Sequence, residues 1–515
     1  MAKVAKINSA STIGLDSYLV EVEVDIGLGL PSFTIVGLPD KAIDESKERT
    51  RSAIKNSDVN FPQHRLTINL APADIKKEGP SFDLPMAVGV LAAGEQIDNL
   101  QEFEKSLFVG ELSLNGELRH VNGILPIAIY AAKNGFARLY LPEVNAYEAS
   151  LVSGVEIMPV KSLRQLVSHL RGEKLIIKAH KKHPSTSLRA NSSNSEFDFA
   201  YVSGQEQAKR AMEIAAAGNH NILLSGPPGS GKTLLARTLP SILPEMDEEE
   251  MLEVTKIYSV AGMFRGERES LISDRPFRSP HHTTSNVALI GGGQWPRPGE
   301  ISLSHRGILF LDEFPEFPRN VLEALRQPLE DGRVTVSRAQ GSLEFPAQFL
   351  LVAAQNPCPC GYNSDPEKAC ICAPTQIMRY QKKISGPLLD RIDIHVEGPR
   401  IKYEKLAEEN LNKETSESVR ARVEAAREIQ HKRFNGTKIK ANSEMGAKDI
   451  KEYCKLDETA EKMIGAAVDQ MKLSARVYHR ILKIARTIAD LEGSDIIKSH
   501  HIAEALQYRP KEKQY

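Results

Sequence analysis

The stretch Asn221-Ile-Leu-Leu-Ser225-Gly226-Pro-Pro-Gly229-Ser230-Gly231-Lys232-Thr233 decides how this chain is read. Three apolar residues, Ile222 to Leu224, lead into the spacing G-x-x-x-x-G-K-T, and a helical pattern from Lys232 to Leu239 follows directly. A short buried strand, a glycine-rich turn and a helix start make a phosphate loop. Gly226, Gly229, Ser230 and Gly231 let backbone N–H groups wrap a phosphate, and the helix N-terminus adds positive dipole. Lys232 is expected to reach the β- and γ-phosphates, and Thr233 to bind magnesium.

Eighty residues on, Ile308-Leu-Phe-Leu-Asp312-Glu313 is a second apolar strand, here ending in two acids. In that setting Asp312 is expected to hold the magnesium and Glu313 to polarise an attacking water. Phe349 to Ala353 is a third such run, followed by Gln355-Asn356, and Asn356 is placed to contact the γ-phosphate or orient water. Ile392 to Val396 is a fourth. Runs apolar on both faces predict a parallel sheet covered on both sides.

At 515 residues the chain is too long for a single core, and 41% hydrophobic with 26% charged residues is ordinary globular composition. With 66 Lys+Arg against 67 Asp+Glu, any nucleic-acid surface has to be a local patch. Met1 to Val24 does not read as a secretory signal, and no apolar run approaches the roughly 20 residues that cross a bilayer. A cytoplasmic protein without a membrane partner is expected. Four of the five cysteines fall between Cys358 and Cys372, as Cys358-x-Cys360 and Cys370-x-Cys372. They read as a four-thiolate zinc site or as a local redox pair.

Around the phosphate loop the domains order themselves. Residues 1–170 alternate strand and helix patterns and read as an α+β domain; 171–200, rich in Lys, His, Ser and Asn, as a flexible linker; 201–400 as the phosphate-loop α/β core; 401–515 as an all-helical domain. Gly332 to Pro346 reads as a hairpin whose Arg338 and Gln340 near the tip can meet a nucleic-acid backbone. Gly291-Gly-Gly293-Gln294-Trp295 is a supple loop whose tryptophan suits a backbone or base, or a core. His281 and His282 read as structural hydrogen-bonding residues.

The phosphate loop and Asp312-Glu313 resemble those of AAA+ ATPases. Arg278-Ser-Pro-His-His-Thr-Thr-Ser285, Pro296-Arg-Pro-Gly-Glu-Ile-Ser302 and Ser385-Gly-Pro-Leu-Leu-Asp390-Arg391-Ile-Asp393 resemble the magnesium-chelatase-like branch and, within it, the bacterial ComM/YifB family, along essentially the whole length. The resemblance implies an insert at 278–305 and the hairpin at 332–346, both facing the pore of a homo-hexameric ring. It places an arginine finger at Arg391, acting in trans, and a residue touching ATP in cis at Arg476, with Arg480 as rival. The implied cofactors are ATP and magnesium; zinc stands only on the cysteine spacing above, beside free or redox-paired thiols. The implied partners are branched or single-stranded DNA, further copies of the chain, and a recombinase. The implied activity is ATP-driven branch migration, a helicase of recombination in natural transformation; the alternative is a chelatase-like ATPase acting on a protein or metal-insertion partner.

Lys76-Lys-Glu-Gly79-Pro80-Ser81, with Gly110-Glu-Leu-Ser-Leu and Val121-Asn-Gly-Ile-Leu125-Pro, resembles the proteolytic domain of Lon-type proteases, with its ribosomal-S5-like fold. Ser81 falls at the nucleophile position, but Leu125 stands where the activating lysine belongs. A serine without a base is a poor nucleophile, so a non-proteolytic scaffold or a DNA-contacting collar is expected.

Overall fold

The computed structural model describes residues 4–38, 40–74, 77, 79–97, 100–179, 197–264, 271–293, 296–338, 341–363, 365, 367–398 and 414–510. The chain forms two compact units, Met1–Ala190 with Met251–Ile272, and Asn191–Glu250 with Ser273–Tyr515. The division at Met251 falls inside the helix Glu248–Ala261. Together the units are a multidomain α/β fold with a parallel sheet and C-terminal helices.

In the first unit, strands Ala5–Ile13 and Asp16–Gly27 are joined by a two-residue turn at Gly14-Leu15, where Gly14 has φ +60°. The sheet order is Ala5–Ile13, Asp16–Gly27, Arg65–Ala71, Ser32–Val36, antiparallel except for the last pair. Alternation supplies its inner face: Val20, Val22 and Val24 are fully buried, as are Leu66, Ile68 and Leu70. The helix Asp83–Ala93 packs there, buried from Asp83 to Leu91, with Gly89 standing against Val24 where no Cβ fits. A second, parallel sheet joins Ser106–Phe108, Arg138–Pro142 and Glu156–Val160.

Residues 171–179, expected as linker, are instead fixed on this unit. The Ile176 N–H donates to His169 Nδ1 at 3.0 Å, the Ala179 N–H donates to the Ile157 carbonyl at 2.9 Å, and Ile176 is buried. Ile176 alone of the run Leu175-Ile176-Ile177 is buried, while its two neighbours stay exposed, so one apolar anchor and two backbone bonds dock a stretch whose charge reads as solvated.

The second unit is built on a five-stranded parallel sheet in the order Phe277–Arg278, Ile308–Leu311, Leu350–Gln355, Ile222–Ser225, Ile394–Glu397. Its three central strands are buried almost throughout, as their unbroken apolar runs require. Helices follow, including Ser416–Arg433, Glu458–Met471 and Ala475–Leu491. Thr415, Asp457 and Ser474 cap these three through side chains that accept from the N–H groups of Ser418, Ala460 and Val477. Among the described residues no helix is long and apolar enough to cross a membrane.

Candidate functional site

Parallel register puts the functional loops at one edge. Ser225 pairs with Gln355 and Leu311 with Ala353, so the phosphate loop, Asn356 and Asp312-Glu313 all leave the carboxyl ends of three adjacent strands. Ligands of open parallel sheets bind at that edge. Gly229 (φ +77°) and Gly231 (φ +78°) hold left-handed conformations in which other residues are strained. Gly226 is required differently: a Cβ there would stand 2.4 Å from the Gly398 carbonyl oxygen.

Lys232 Nζ donates to the carbonyl oxygens of Gly226 and Pro227, both at 2.9 Å, and lies 3.4 Å from Ser230 Oγ and 3.3 Å from Asn356 Oδ1. Burial lowers its pKa from the ordinary lysine value, while Asp312 acts in the other direction. Thr233 Oγ1 donates to Asp312 Oδ2 at 2.8 Å. A hydroxyl and a carboxylate meeting beside an ammonium form an all-oxygen donor pair that fits magnesium. The structure therefore brings Lys232, Thr233, Asp312 and Asn356 together from three strands.

Glu313 adjoins them in an unusual way. Its backbone is left-handed, φ +52° and ψ +42°, and its N–H donates to Asp312 Oδ1 at 2.9 Å. Its carboxylate turns to His282, Oε2 to Nδ1 at 3.0 Å. His282 was expected to be structural; its contact with the candidate base was not foreseen, and only the Pro-His-His run hinted at it. The adjacent His281 bonds Thr283 Oγ1 at 2.9 Å.

Arg391 and the two arginines of helix Ala475–Leu491 differ sharply. The Arg391 guanidinium pairs with Glu330 and donates to the Pro387 carbonyl at 2.7 Å, leaving its side chain 12% exposed. Arg480 is buried, held by Asp393 at 3.5 Å and by the Asp390 carbonyl. Arg476 is 55% exposed, with Asp390 3.9 Å away. Of the two rivals, Arg480 is committed to the fold and Arg476 is open to a ligand.

In the segment 278–305, expected as an insert, Arg278 Nε and Nη2 donate to the Glu300 carboxylate as a bidentate pair, at 2.6 and 2.7 Å. The hairpin pairs Arg333–Arg338 with Gly341–Pro346, so Gly341 is already in a strand opposite Arg338. Trp295 and Gln340 lie outside the described residues, and nothing is described of the Arg338 side chain. In the first unit Leu125 is fully buried, and its N–H donates to Glu148 at 3.1 Å.

The four clustered cysteines offer Sγ atoms all within 4.8 Å of one another. Cys454 stands apart, buried, with burial pushing its thiol up to about 12.

Three family descriptions match the chain in succession: "Subunit ChlI of Mg-chelatase" over residues 22–145, "Magnesium chelatase, subunit ChlI" over 198–406 and "Magnesium chelatase, subunit ChlI C-terminal" over 413–509. The chain is similar to competence protein ComM of Haemophilus influenzae, 44% identical over 508 residues that cover 98% of this chain and 97% of that protein. Protein YifB of Escherichia coli is 41% identical over 505 residues, covering 98% and 96%. The magnesium-chelatase 38 kDa subunit of Cereibacter sphaeroides is 28% identical over 176 residues, 31% of this chain and 53% of that protein. With successive domains matched and near-complete coverage of its relatives, the chain belongs to the magnesium-chelatase-like family that includes ComM and YifB.

Proposed function

We propose that the chain is an AAA+ ATPase that works on DNA as a hexameric ring, driving branch migration of recombination intermediates. The observation that carries the ATPase reading is the convergence of Lys232, Thr233, Asp312 and Asn356 within hydrogen-bonding distance at the ends of three adjacent strands. In this reading phosphate oxygens replace the carbonyls that Lys232 now holds. Thr233 and Asp312 would hold magnesium, which when bound would supply positive charge against the phosphates. Glu313 takes the proton of the attacking water as the bond from the γ-phosphorus to the β,γ-bridging oxygen breaks, giving ADP and phosphate. Arg476 meets the same nucleotide. Arg391 serves a neighbouring subunit once its pair with Glu330 is exchanged.

The DNA reading rests on the competence name of the Haemophilus relative and on the hairpin and insert expected to face a pore. The first unit is then a Lon-like, non-proteolytic domain, in keeping with the buried, apolar Leu125. The four clustered thiols hold zinc, and the donor set, four converging sulfurs, fits it. The match to chelatase descriptions supports the second reading, an ATPase that remodels a metal-insertion partner.

One experiment separates these. ATP turnover is measured without DNA and with single strands, duplex or a four-way junction, alongside strand displacement, with Lys232→Ala as blank. Junction-stimulated turnover coupled to strand exchange is expected. Turnover indifferent to every DNA rejects the motor and leaves the chelatase-like reading.

A further inference from the structure

Residues 356–373 join strand Leu350–Gln355 to helix Pro374–Gln381 without helix or strand among the described residues. A loop of that length needs something to fix it. Apolar packing does little: Cys358 is fully buried, but Ile371 is 88% exposed.

Its four cysteines converge. Cys358 Sγ lies 3.4 Å from Cys360 Sγ and 3.7 Å from Cys370 Sγ, and Cys360 Sγ is 3.5 Å from Cys370 Sγ. A tetrahedral ion with bonds of about 2.3 Å to sulfur needs edges of roughly 3.8 Å, so small movements seat it. The Cys360 N–H donates to Cys372 Sγ at 3.4 Å and the Asn363 N–H to Cys358 Sγ at 3.3 Å, the outer bonds that ligating thiolates accept.

This group is tied to the phosphate loop on both sides. Two residues before Cys358, Asn356 reaches Lys232. One residue after Cys360, Gly361 (φ +85°) lies so close to Pro228 that a Cβ would stand 2.5 Å from its Cδ and 2.6 Å from its Cγ. Gln381 Nε2 anchors the intervening Pro357 carbonyl at 3.2 Å.

We infer that one zinc ion bound by Cys358, Cys360, Cys370 and Cys372 clamps this loop against the phosphate loop, so that ATP binding and turnover depend on a metal that takes no part in the chemistry. The inference rests on the zinc and ATPase readings above and adds the coupling between them.

The full-length chain is assayed for zinc content, for affinity toward a fluorescent ATP analogue, and for turnover, before and after a strong chelator and again after zinc is restored. Circular dichroism checks folding throughout. Stoichiometric zinc is expected, with affinity and kcat/KM falling about tenfold on its removal, as for groups that orient a site from outside, and recovering with zinc but not with added magnesium. Gly361→Ala supplies a variant that spares every ligand; it should keep its zinc and show the same loss. Protein that carries no zinc, or carries iron with visible colour, overturns the metal assignment. Zinc present, with affinity and kcat/KM unmoved by chelation and by Gly361→Ala, overturns the clamp while both earlier readings stand. ATP affinity that follows zinc in a protein without turnover supports the clamp and rejects the ATPase reading.

Discussion

Glu313 holds a left-handed backbone conformation that costs a non-glycine residue of order 1 kcal/mol, at the point where its carboxylate meets His282. Glu313→Gln keeps the shape and removes the base, so turnover should fall at least about 100-fold while ATP still binds. Retained turnover would remove Glu313 from its role. In the proposed reading His282 acts through Glu313, as a positioning residue. His282→Ala should lower kcat about tenfold with KM held within about twofold, and His282→Asn, which can still donate, should recover most of it. The two arginines on helix Ala475–Leu491 separate by readout. Arg480→Ala strips a buried partner from Asp393 and should cost about 3 kcal/mol of stability. Arg476→Ala, on an exposed side chain, should leave unfolding unchanged and weaken ATP turnover; a loss of stability there would place it in the fold.

At the scale of elements, strand Ile394–Glu397 carries His395, partly buried, with its N–H on the Tyr508 carbonyl and Nε2 at 3.2 Å from the Ile392 carbonyl. Burial, helped by the nearby Arg480 charge, lowers this histidine from 6.5 to about 4. The folded strand therefore holds a neutral ring, while the unfolded chain takes up a proton below 6.5. Stability present above that pH is lost as pH falls from 6.5 to about 4, by at most about 3 kcal/mol. Denaturant unfolding across that window should show a shallower acid loss in His395→Gln than in the parent; parallel curves would assign the loss elsewhere. Elements of this kind were legible because a buried parallel strand leaves an unbroken apolar run and a phosphate loop leaves fixed spacing. Arg391, Arg480 and His282 were not legible in the same way. Their partners, Glu330, Asp393 and Glu313, lie 31 to 87 residues away in sequence, and a charged residue carries no periodicity that names its partner. The cysteine cluster was legible in spacing alone, but its contact with Pro228 was not, since it depends on a glycine that has no side chain.

Across the whole molecule, composition could not reveal that Met251–Ile272 belongs with the first unit. The reason is local: Glu248–Ala261 is one continuous helix, and nothing in its pattern says where one core ends and another begins. Met251–Ile272 carries Val254 and Ile257, both fully buried in the folded chain, and its Ser259 carbonyl accepts from the Gly123 N–H at 3.1 Å, while Gly262 lies where a Cβ would come within 2.7 Å of Asn122. A fragment ending at Ala190 gives up these contacts. Losing two buried aliphatic side chains alone removes about 4 kcal/mol, which for a unit of this size lowers the melting temperature by about 10 °C. Fragment 1–190 should therefore melt that much below a version in which 251–272 is appended through a glycine-rich linker, followed by circular dichroism at equal concentration. Equal melting temperatures would show that the first stretch folds on its own contacts and that the second merely rests upon it.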